Sequence, residues 1–157
     1  MKKKILVVSQ NFFPESFPIN DIIFSINKFS KSVITTFPTY PNYKLFNKFK
    51  RTKYSSTISN YKNTRIIRIP SYPRKNNSTL NFLLTYSTFL ISGIIYSLFF
   101  YKKKNDFIFV YATSPVTQAL IGVLLKKFSN KNAKLIIWLQ DLWPESIVET
   151  GYIKNKF

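Results

Sequence analysis

The residue types best suited to chemistry are concentrated in one short turn, residues 138–146. The turn carries two indoles, a proline and the carboxylates of Asp141 and Glu145, although the whole chain has only six acidic residues. It follows an apolar run, residues 134–137, which is typical of a buried strand. In open α/β sheets, ligands gather at the carboxyl ends of such strands, so the turn is predicted to form part of a site. The alternative that stays open is that Asp141 or Ser146 only caps a helix.

The elements that must position this turn alternate along the chain. Short apolar runs predict five strands, and 3.6-residue periodicity predicts helices between them, whereas the basic segment 44–62 has weak periodicity. Alternation of this kind predicts an α/β fold with a Rossmann-like open parallel sheet and helices on both faces. The predicted strands are residues 4–9, 32–37, 64–69, 106–112 and 134–139, and the predicted helices are residues 19–30, 79–101 and 116–128.

The amino-acid composition limits the classes of protein to which the chain can belong. A chain of 157 residues with 45% hydrophobic and 18% aromatic residues predicts a single folded domain over residues 1–157. The chain has neither cysteine nor histidine, which argues against disulfides, zinc sites and Ser-His or Cys-His catalysis. Its three glycines form no phosphate-binding loop. We therefore predict no metal and no cofactor.

The net charge of +18 predicts attraction to polyanions such as anionic lipid or phosphorylated substrates. Two explanations of this charge stay open. One is a functional attraction to polyanions. The other is the bias of an AT-rich genome, because lysine, asparagine, isoleucine and phenylalanine are all abundant. The basic residues are spread along the chain rather than clustered with a recognition motif, so nucleic acid is not the predicted partner.

Residues 80–101 form an uncharged segment long enough to cross a bilayer, and three lysines follow it directly. Polar residues recur in it at steps of three and four, from Asn81 through Thr85 and Thr88 to Ser92 and Tyr96. Three alternatives stay open for this helix: it spans a membrane, it lies in a membrane interface, or it packs on the core of the domain.

Aromatic side chains are enriched in the loops after the first two predicted strands. They are Phe12, Phe13, Phe17, Tyr40 and Tyr43. In a parallel sheet these loops share an edge with the Asp141 turn, and aromatic faces beside carboxylates suit sugar rings. The alternative is that these side chains only pack beneath their loops.

Five segments in register carry a resemblance to a known family. They are residues 9–21, 37–43, 68–70, 114–117 and 138–146. Together, and in this order, they resemble the N-terminal half of bacterial family 4 glycosyltransferases, in the subgroup assigned to colanic acid, O-antigen and fucosamine-type sugar transfer. The resemblance covers nearly the whole chain.

The resemblance implies the N-terminal half of a GT-B architecture, in which two Rossmann-like domains face each other across a cleft. The N-terminal domain handles a lipid-linked or saccharide acceptor in cell-surface polysaccharide biosynthesis. The other domain binds the nucleotide-sugar, which is a substrate and not a cofactor. The implied transfer is retaining and metal-independent. We expect this chain to lack the donor-binding domain and to be inactive alone. Three alternatives stay open: a truncated reading frame, a fragment, or one subunit of a split enzyme with a separate donor-binding half. We expect it to act in the cytoplasm, peripherally at the inner face of the plasma membrane.

The resemblance also assigns roles to residues. It implies that Asp141 is catalytic, although Gln140 precedes it where many members of the family have histidine, and Pro18 stands where arginine is common. The alternative function is a non-catalytic, basic, membrane-associated protein. The expected substrate-binding residues are Glu15, Asn20, Tyr40, Asn42, Tyr43, Ser114 and Glu145.

Overall fold

A six-stranded sheet forms the centre of the chain. The computed structural model describes residues 2–41, 49, 55–113 and 115–140. The strands are β1 (Lys3–Val8), β2 (Phe29–Thr36), β3 (Thr57–Tyr61), β4 (Thr64–Ile69), β5 (Phe107–Ala112) and β6 (Lys134–Leu139). Their order is β3-β4-β2-β1-β5-β6, and every neighbouring pair is parallel except β3 with β4. The predicted α/β class with a mostly parallel, Rossmann-like sheet is confirmed.

Helices cover both faces of this sheet. They are α1 (Pro18–Ser25), α2 (Thr79–Ile95) and α3 (Ala119–Leu124). A 3₁₀ turn, Val116–Gln118, precedes α3, and single π-helical turns extend α2 over Tyr96–Phe100 and α3 over Leu125–Ser129.

The central strand β1 shows why two layers of helices are needed. Its residues Ile5 to Val8 are all buried, and they alternate between two separate cores. Leu6 and Val8 pack with Phe89 of α2 and Ile121 of α3 on one face, whereas Ile5 and Val7 pack with residues of α1 on the other. An uninterrupted apolar run is what a parallel strand buried on both faces requires.

The prediction of five strands was wrong by one, because β3 was missed. This strand lies within the basic segment that showed weak periodicity, and it pairs antiparallel with β4 at the outer edge of the sheet. Four of its five residues are exposed, so no alternation of apolar and polar residues marks it. The turn between β3 and β4 has positive φ at Lys62 (44°) and Asn63 (56°), as a two-residue hairpin of this kind requires.

The first helix is shorter than the sequence predicted. It ends at Ser25 rather than Ser30, and Phe29 opens β2 opposite Lys3 of β1. The spacing of Phe29 from Ile26 fits the apolar face of a helix, so the sequence predicted Phe29 to be helical. The same residue fits the first position of a strand, since aromatic residues are common in both. The second and third helices begin and end close to the predicted residues when their 3₁₀ and π turns are included.

Close packing between α3 and the sheet depends on Gly122. A Cβ built there would lie 2.4 Å from Cγ2 of Val110 and 3.1 Å from Cδ1 of Leu135, whereas one at Gly93 would meet Cδ1 of Ile121 at 2.4 Å. The branched Val110 is stiff, but the end of the Ile121 side chain can rotate. We expect Gly122→Ala to lower the free energy of unfolding by about 1 kcal/mol more than Gly93→Ala, measured by urea denaturation. Equal losses would contradict the tight contact with β5.

Candidate functional site

One edge of the sheet gathers the aromatic loops that the sequence analysis singled out. The loops after β1, β2 and β5 leave the carboxyl ends of parallel strands and therefore begin along the same edge, where β6 also ends. From β1 the chain runs to β2 and β4 on one side and later returns to β5 and β6 on the other. The order of strands thus reverses between β1 and β5. Crevices at such a reversal are the usual ligand sites of open α/β sheets.

A cavity of about 200 Å³ opens at this reversal, and we call it the rim pocket. Its walls combine neutral hydrogen-bonding side chains, aromatic rings and one arginine. They come from the loops after β1, β2 and β5, from the segment before α2, and from α2 itself. The lining residues are Gln10, Asn11, Phe17, Thr39, Tyr40, Arg74, Phe82, Thr85, Tyr86 and Thr113.

Glu15 joins the loop after β1 to the loop after β2 from behind the pocket wall. Its side chain is only 2% exposed. One carboxylate oxygen accepts hydrogen bonds from the backbone N–H groups of Thr39 (2.5 Å) and Tyr40 (2.6 Å), and the other accepts one from the Asn11 side chain (3.0 Å). Burial raises the pKa of Glu15, and these donors act against that rise. The carboxylate therefore holds two loops together.

Asn20 fixes the shape of the loop after β1. It lies on α1 and is buried. Its Oδ1 accepts a hydrogen bond from the backbone N–H of Phe13 (3.1 Å), and its Nδ2 donates to the backbone oxygen of Glu15 (2.5 Å). Glu15 and Asn20 are thus brought together, as the sequence suggested, but both are turned to the protein. That they contact a substrate stays a prediction.

Arg68 supports the same loop from the carboxyl end of β4. It appears in the sequence analysis only as part of a motif. The side chain is buried; Nη1 donates to Oγ of Ser59 and Nη2 donates to the backbone oxygen of Phe13, each at 2.8 Å. Burial lowers the pKa of Arg68, and the charge of Glu15 opposes that change. The ring of Phe13 also stacks on Tyr61, with centroids 4.0 Å apart. The hairpin of β3 and β4 therefore braces the loop that carries Glu15.

Tyr40 is the predicted binding residue that the structure does place in the pocket wall. It is 41% exposed, and its ring centroid lies 5.4 Å from that of Phe17. Arg74 was missed by the sequence reasoning. Its guanidinium carbon lies 5.2 Å from the Tyr40 ring centroid and 4.6 Å from that of Phe82. The only signal for Arg74 was its place in a proline-rich loop directly before a helix.

The remaining predicted site residues lie outside the described residues. They are Asn42, Tyr43, Ser114, Asp141 and Glu145. Gln140 directly follows β6, at the same edge of the sheet as the rim pocket. The backbone N–H of Gln140 donates to the oxygen of Ala112 (2.9 Å), and its side-chain oxygen accepts from the hydroxyl of Tyr111 (3.4 Å). Among the described residues, no group of three or more acidic side chains could hold a metal ion.

A second surface with functional potential is the outer face of α2, defined by Leu80, Leu83, Ile91, Ile95 and Phe99. These side chains are largely exposed, Leu80 and Phe99 each to 66%. Within the described part of the chain, the stretch Thr79–Phe100 is one helix that could cross a membrane, judged by length and composition alone. Core helices of soluble proteins can meet the same test.

The polar stripe of α2 faces inward. Asn81 and Thr85 are buried, Oδ1 of Asn81 accepts a hydrogen bond from the backbone N–H of Lys75, and Oγ1 of Thr88 accepts one from that of Tyr72. The helix therefore buries a mixed face, with Phe89 beside Asn81 and Thr85, and exposes a mainly apolar one, whereas an ordinary surface helix exposes its polar face. Packing on the core accounts for the stripe, but it leaves the exposed leucines and isoleucines unexplained.

Comparison of the sequence with models of protein families, and with curated proteins, finds no match. The fold and the rim pocket therefore define the class: an α/β domain with a mostly parallel, Rossmann-like sheet and a ligand-sized crevice at its carboxyl edge.

Proposed function

We propose that this chain is the acceptor-side domain of a retaining glycosyltransferase of the GT-B type. The observation that carries the proposal is the rim pocket. It lies where the strand order reverses, and its walls pair the rings of Phe17, Tyr40 and Phe82 with the amides of Gln10 and Asn11. Aromatic faces stack on the C–H face of a sugar ring, while amides and hydroxyls bond its hydroxyl groups. The sequence resemblance to family 4 glycosyltransferases supports the same function.

In the proposed reaction, the acceptor sugar lies in the rim pocket and the nucleotide-sugar is bound by a donor-binding domain. The acceptor hydroxyl forms a bond to the anomeric carbon of the donor and passes its proton to the departing diphosphate oxygen. The bond from that carbon to the nucleoside diphosphate breaks. The contribution of this chain is positioning, because a held acceptor makes the encounter with the donor effectively intramolecular. Asp141 is proposed to contact the acceptor or the reacting centre.

The test supplies a matched donor-binding domain, fused or added in trans, and measures transfer of a radiolabelled sugar to a lipid-linked acceptor. We expect Tyr40→Ala to lower kcat/KM by roughly tenfold, because one stacking face is lost. We expect Asp141→Ala to lower turnover by roughly a hundredfold. Lys134→Gln is the matched control, since Lys134 starts β6 at the opposite edge of the sheet. Unchanged turnover in Asp141→Ala would remove the role proposed for that aspartate.

A second candidate function is a non-catalytic protein that associates with membranes. The observation that favours it is the exposed outer face of α2. Basic residues stand at one end of this face, with Lys102, Lys103 and Lys104 after the π turn of α2. An apolar helix face with lysines beside it suits the interface of an anionic bilayer. The two candidates are compatible, because a lipid-linked acceptor is met at a membrane surface, and we propose the inner face of the cytoplasmic membrane.

A further inference from the structure

The rim pocket contains a cation that no acidic residue neutralises within the described part of the chain. Arg74 is the one charged residue among the residues that line it. The nearby carboxylate of Glu15 does not line the pocket, and its oxygens are already occupied by the N–H groups of Thr39 and Tyr40 and by the Asn11 side chain. A cation without a counter-ion, in a partly enclosed site, favours an anionic ligand.

The guanidinium of Arg74 is held in position but has donors to spare. It lies between the rings of Tyr40 and Phe82, and Nη2 donates one hydrogen bond to Oδ1 of Asn77 (3.1 Å). Its Nε is buried, without a hydrogen-bond partner among the described residues, so the Nη1 and Nη2 groups are the donors left for a ligand. Two rings that fix a planar guanidinium also prepare it for two parallel hydrogen bonds to one anion.

The remaining walls of the pocket define the rest of the ligand. Gln10, Asn11, Thr39 and Thr113 supply neutral hydrogen-bonding groups, and Phe17 supplies an apolar ring. The cavity of about 200 Å³ is smaller than the ~300–1,000 Å³ typical of sites for larger ligands. This size suits one sugar ring rather than an oligosaccharide.

We propose that the rim pocket binds an anionic saccharide unit, with Arg74 bonding a carboxylate or phosphate group on a sugar ring that lies against the aromatic wall. The inference deepens the proposed function and rests on it for the saccharide, because it adds the charge of the acceptor sugar. Carboxylate and phosphate present the same pair of oxygens to a guanidinium. Titration with a carboxylated sugar and with a phosphorylated sugar distinguishes between these two groups.

The experiment titrates the whole chain with glucuronate, glucose 1-phosphate, glucose and inorganic phosphate, followed by shifts of the backbone N–H signals of Thr39 and Thr113 in NMR spectra. We expect at least one anionic sugar to bind about tenfold or more tightly than glucose, because a charged hydrogen bond is added. Whichever of glucuronate and glucose 1-phosphate binds more tightly identifies the anion.

Two substitutions test the role of Arg74. Arg74→Gln is expected to remove the preference for anionic sugars while leaving the weak binding of glucose. Arg74→Lys is expected to lose most of the preference, because an ammonium cannot form the paired hydrogen bonds. Lys75→Gln is the matched control: it removes one positive charge from the next residue, which does not line the rim pocket, and should leave the preference unchanged. Dispersed spectra verify that each variant is folded.

Three results would overturn the inference. One is equal binding of glucose and both anionic sugars, another is an unchanged preference in Arg74→Gln, and the third is binding of inorganic phosphate as tight as that of glucose 1-phosphate. Transfer to a neutral acceptor without any preference for anionic sugars would remove this inference and leave the proposed function. Binding of anionic sugars without transfer, when a donor-binding domain is present, would remove the proposed function instead.

Discussion

Replacing Glu15 by alanine is expected to lower the free energy of unfolding by about 3 kcal/mol. The substitution leaves the buried N–H of Thr39 without its acceptor, removes the acceptor of Tyr40, and leaves Arg68 buried without the nearby negative charge. For a chain of this size the loss corresponds to a fall in Tm of roughly 10 °C. Urea and thermal denaturation followed by circular dichroism measure both quantities.

Glu15→Gln is the matched variant, because its side-chain oxygen can still accept from both N–H groups while the charge is gone. We expect it to cost clearly less than the alanine variant. A loss as large as that of Glu15→Ala would show that the charge, and not the hydrogen bonds, holds the two loops. Unchanged stability in Glu15→Ala would contradict the assigned contacts between the loops.

Comparing the unsubstituted protein with Glu15→Gln also tests the raised pKa of Glu15. In the unfolded chain this carboxyl ionises near its ordinary value of 4.5, whereas burial raises the pKa in the folded protein. Between these two values the folded state holds a proton that the unfolded state has released. Stability from this group is therefore present below about pH 4.5 and is lost as the pH rises to the folded pKa. Subtracting the pH profile of Glu15→Gln from that of the unsubstituted protein isolates this fall.

Substitution of the outer face of α2 is expected to have the largest effect on binding. The variant Leu83→Ser with Ile91→Ser should bind vesicles of phosphatidylcholine and phosphatidylglycerol at least roughly tenfold more weakly than the unsubstituted chain. Leu83 is 61% exposed and Ile91 is 56% exposed, so neither contributes much to the core, and each would lose its apolar contact with the acyl region. Cosedimentation with vesicles measures the bound fraction.

Ile136→Ser is the matched control, since Ile136 is 45% exposed on β6 and pairs with Phe109, which packs on the α1 side of the sheet, opposite to α2. We expect its vesicle binding to be unchanged. Omitting phosphatidylglycerol or raising the salt concentration should weaken binding of every protein, because the basic residues then lose their attraction to the bilayer. Equal binding of the double variant and the unsubstituted chain would show that α2 does not contact lipid. Resistance to carbonate extraction would favour a spanning helix over an interfacial one.

The parallel strands were predictable because their signal is local. The run Ile5–Val8 has no polar residue, as a strand buried on both faces requires. Both β4 and β6 begin and end at the predicted residues, because each contains a short apolar run with β-branched isoleucines. The strand β3 carries no such signal. Its pairing with β4 comes from a two-residue turn at Lys62 and Asn63, neither of which is glycine.

The candidate site was only partly predictable, and for a different reason. The edge of the sheet follows from the alternation of strands and helices, and Tyr40 does line the rim pocket. Whether a polar residue faces the pocket or the protein depends on contacts made across long stretches of sequence. Glu15 is turned inward by N–H groups of a loop 24 residues further on. Arg74 comes to the pocket because Tyr40 and Phe82 flank it.

The stacking of Tyr61 on Phe13, together with the hydrogen bonds from Arg68, links an outlying hairpin to the loop that shapes the rim pocket. Selection for a new ligand therefore need not alter the cavity lining. Amino-acid replacements in β3, at positions that would ordinarily be regarded as neutral, are therefore expected to shift this loop and change the shape of the rim pocket. Directed evolution of this chain would do well to randomise the hairpin alongside the pocket.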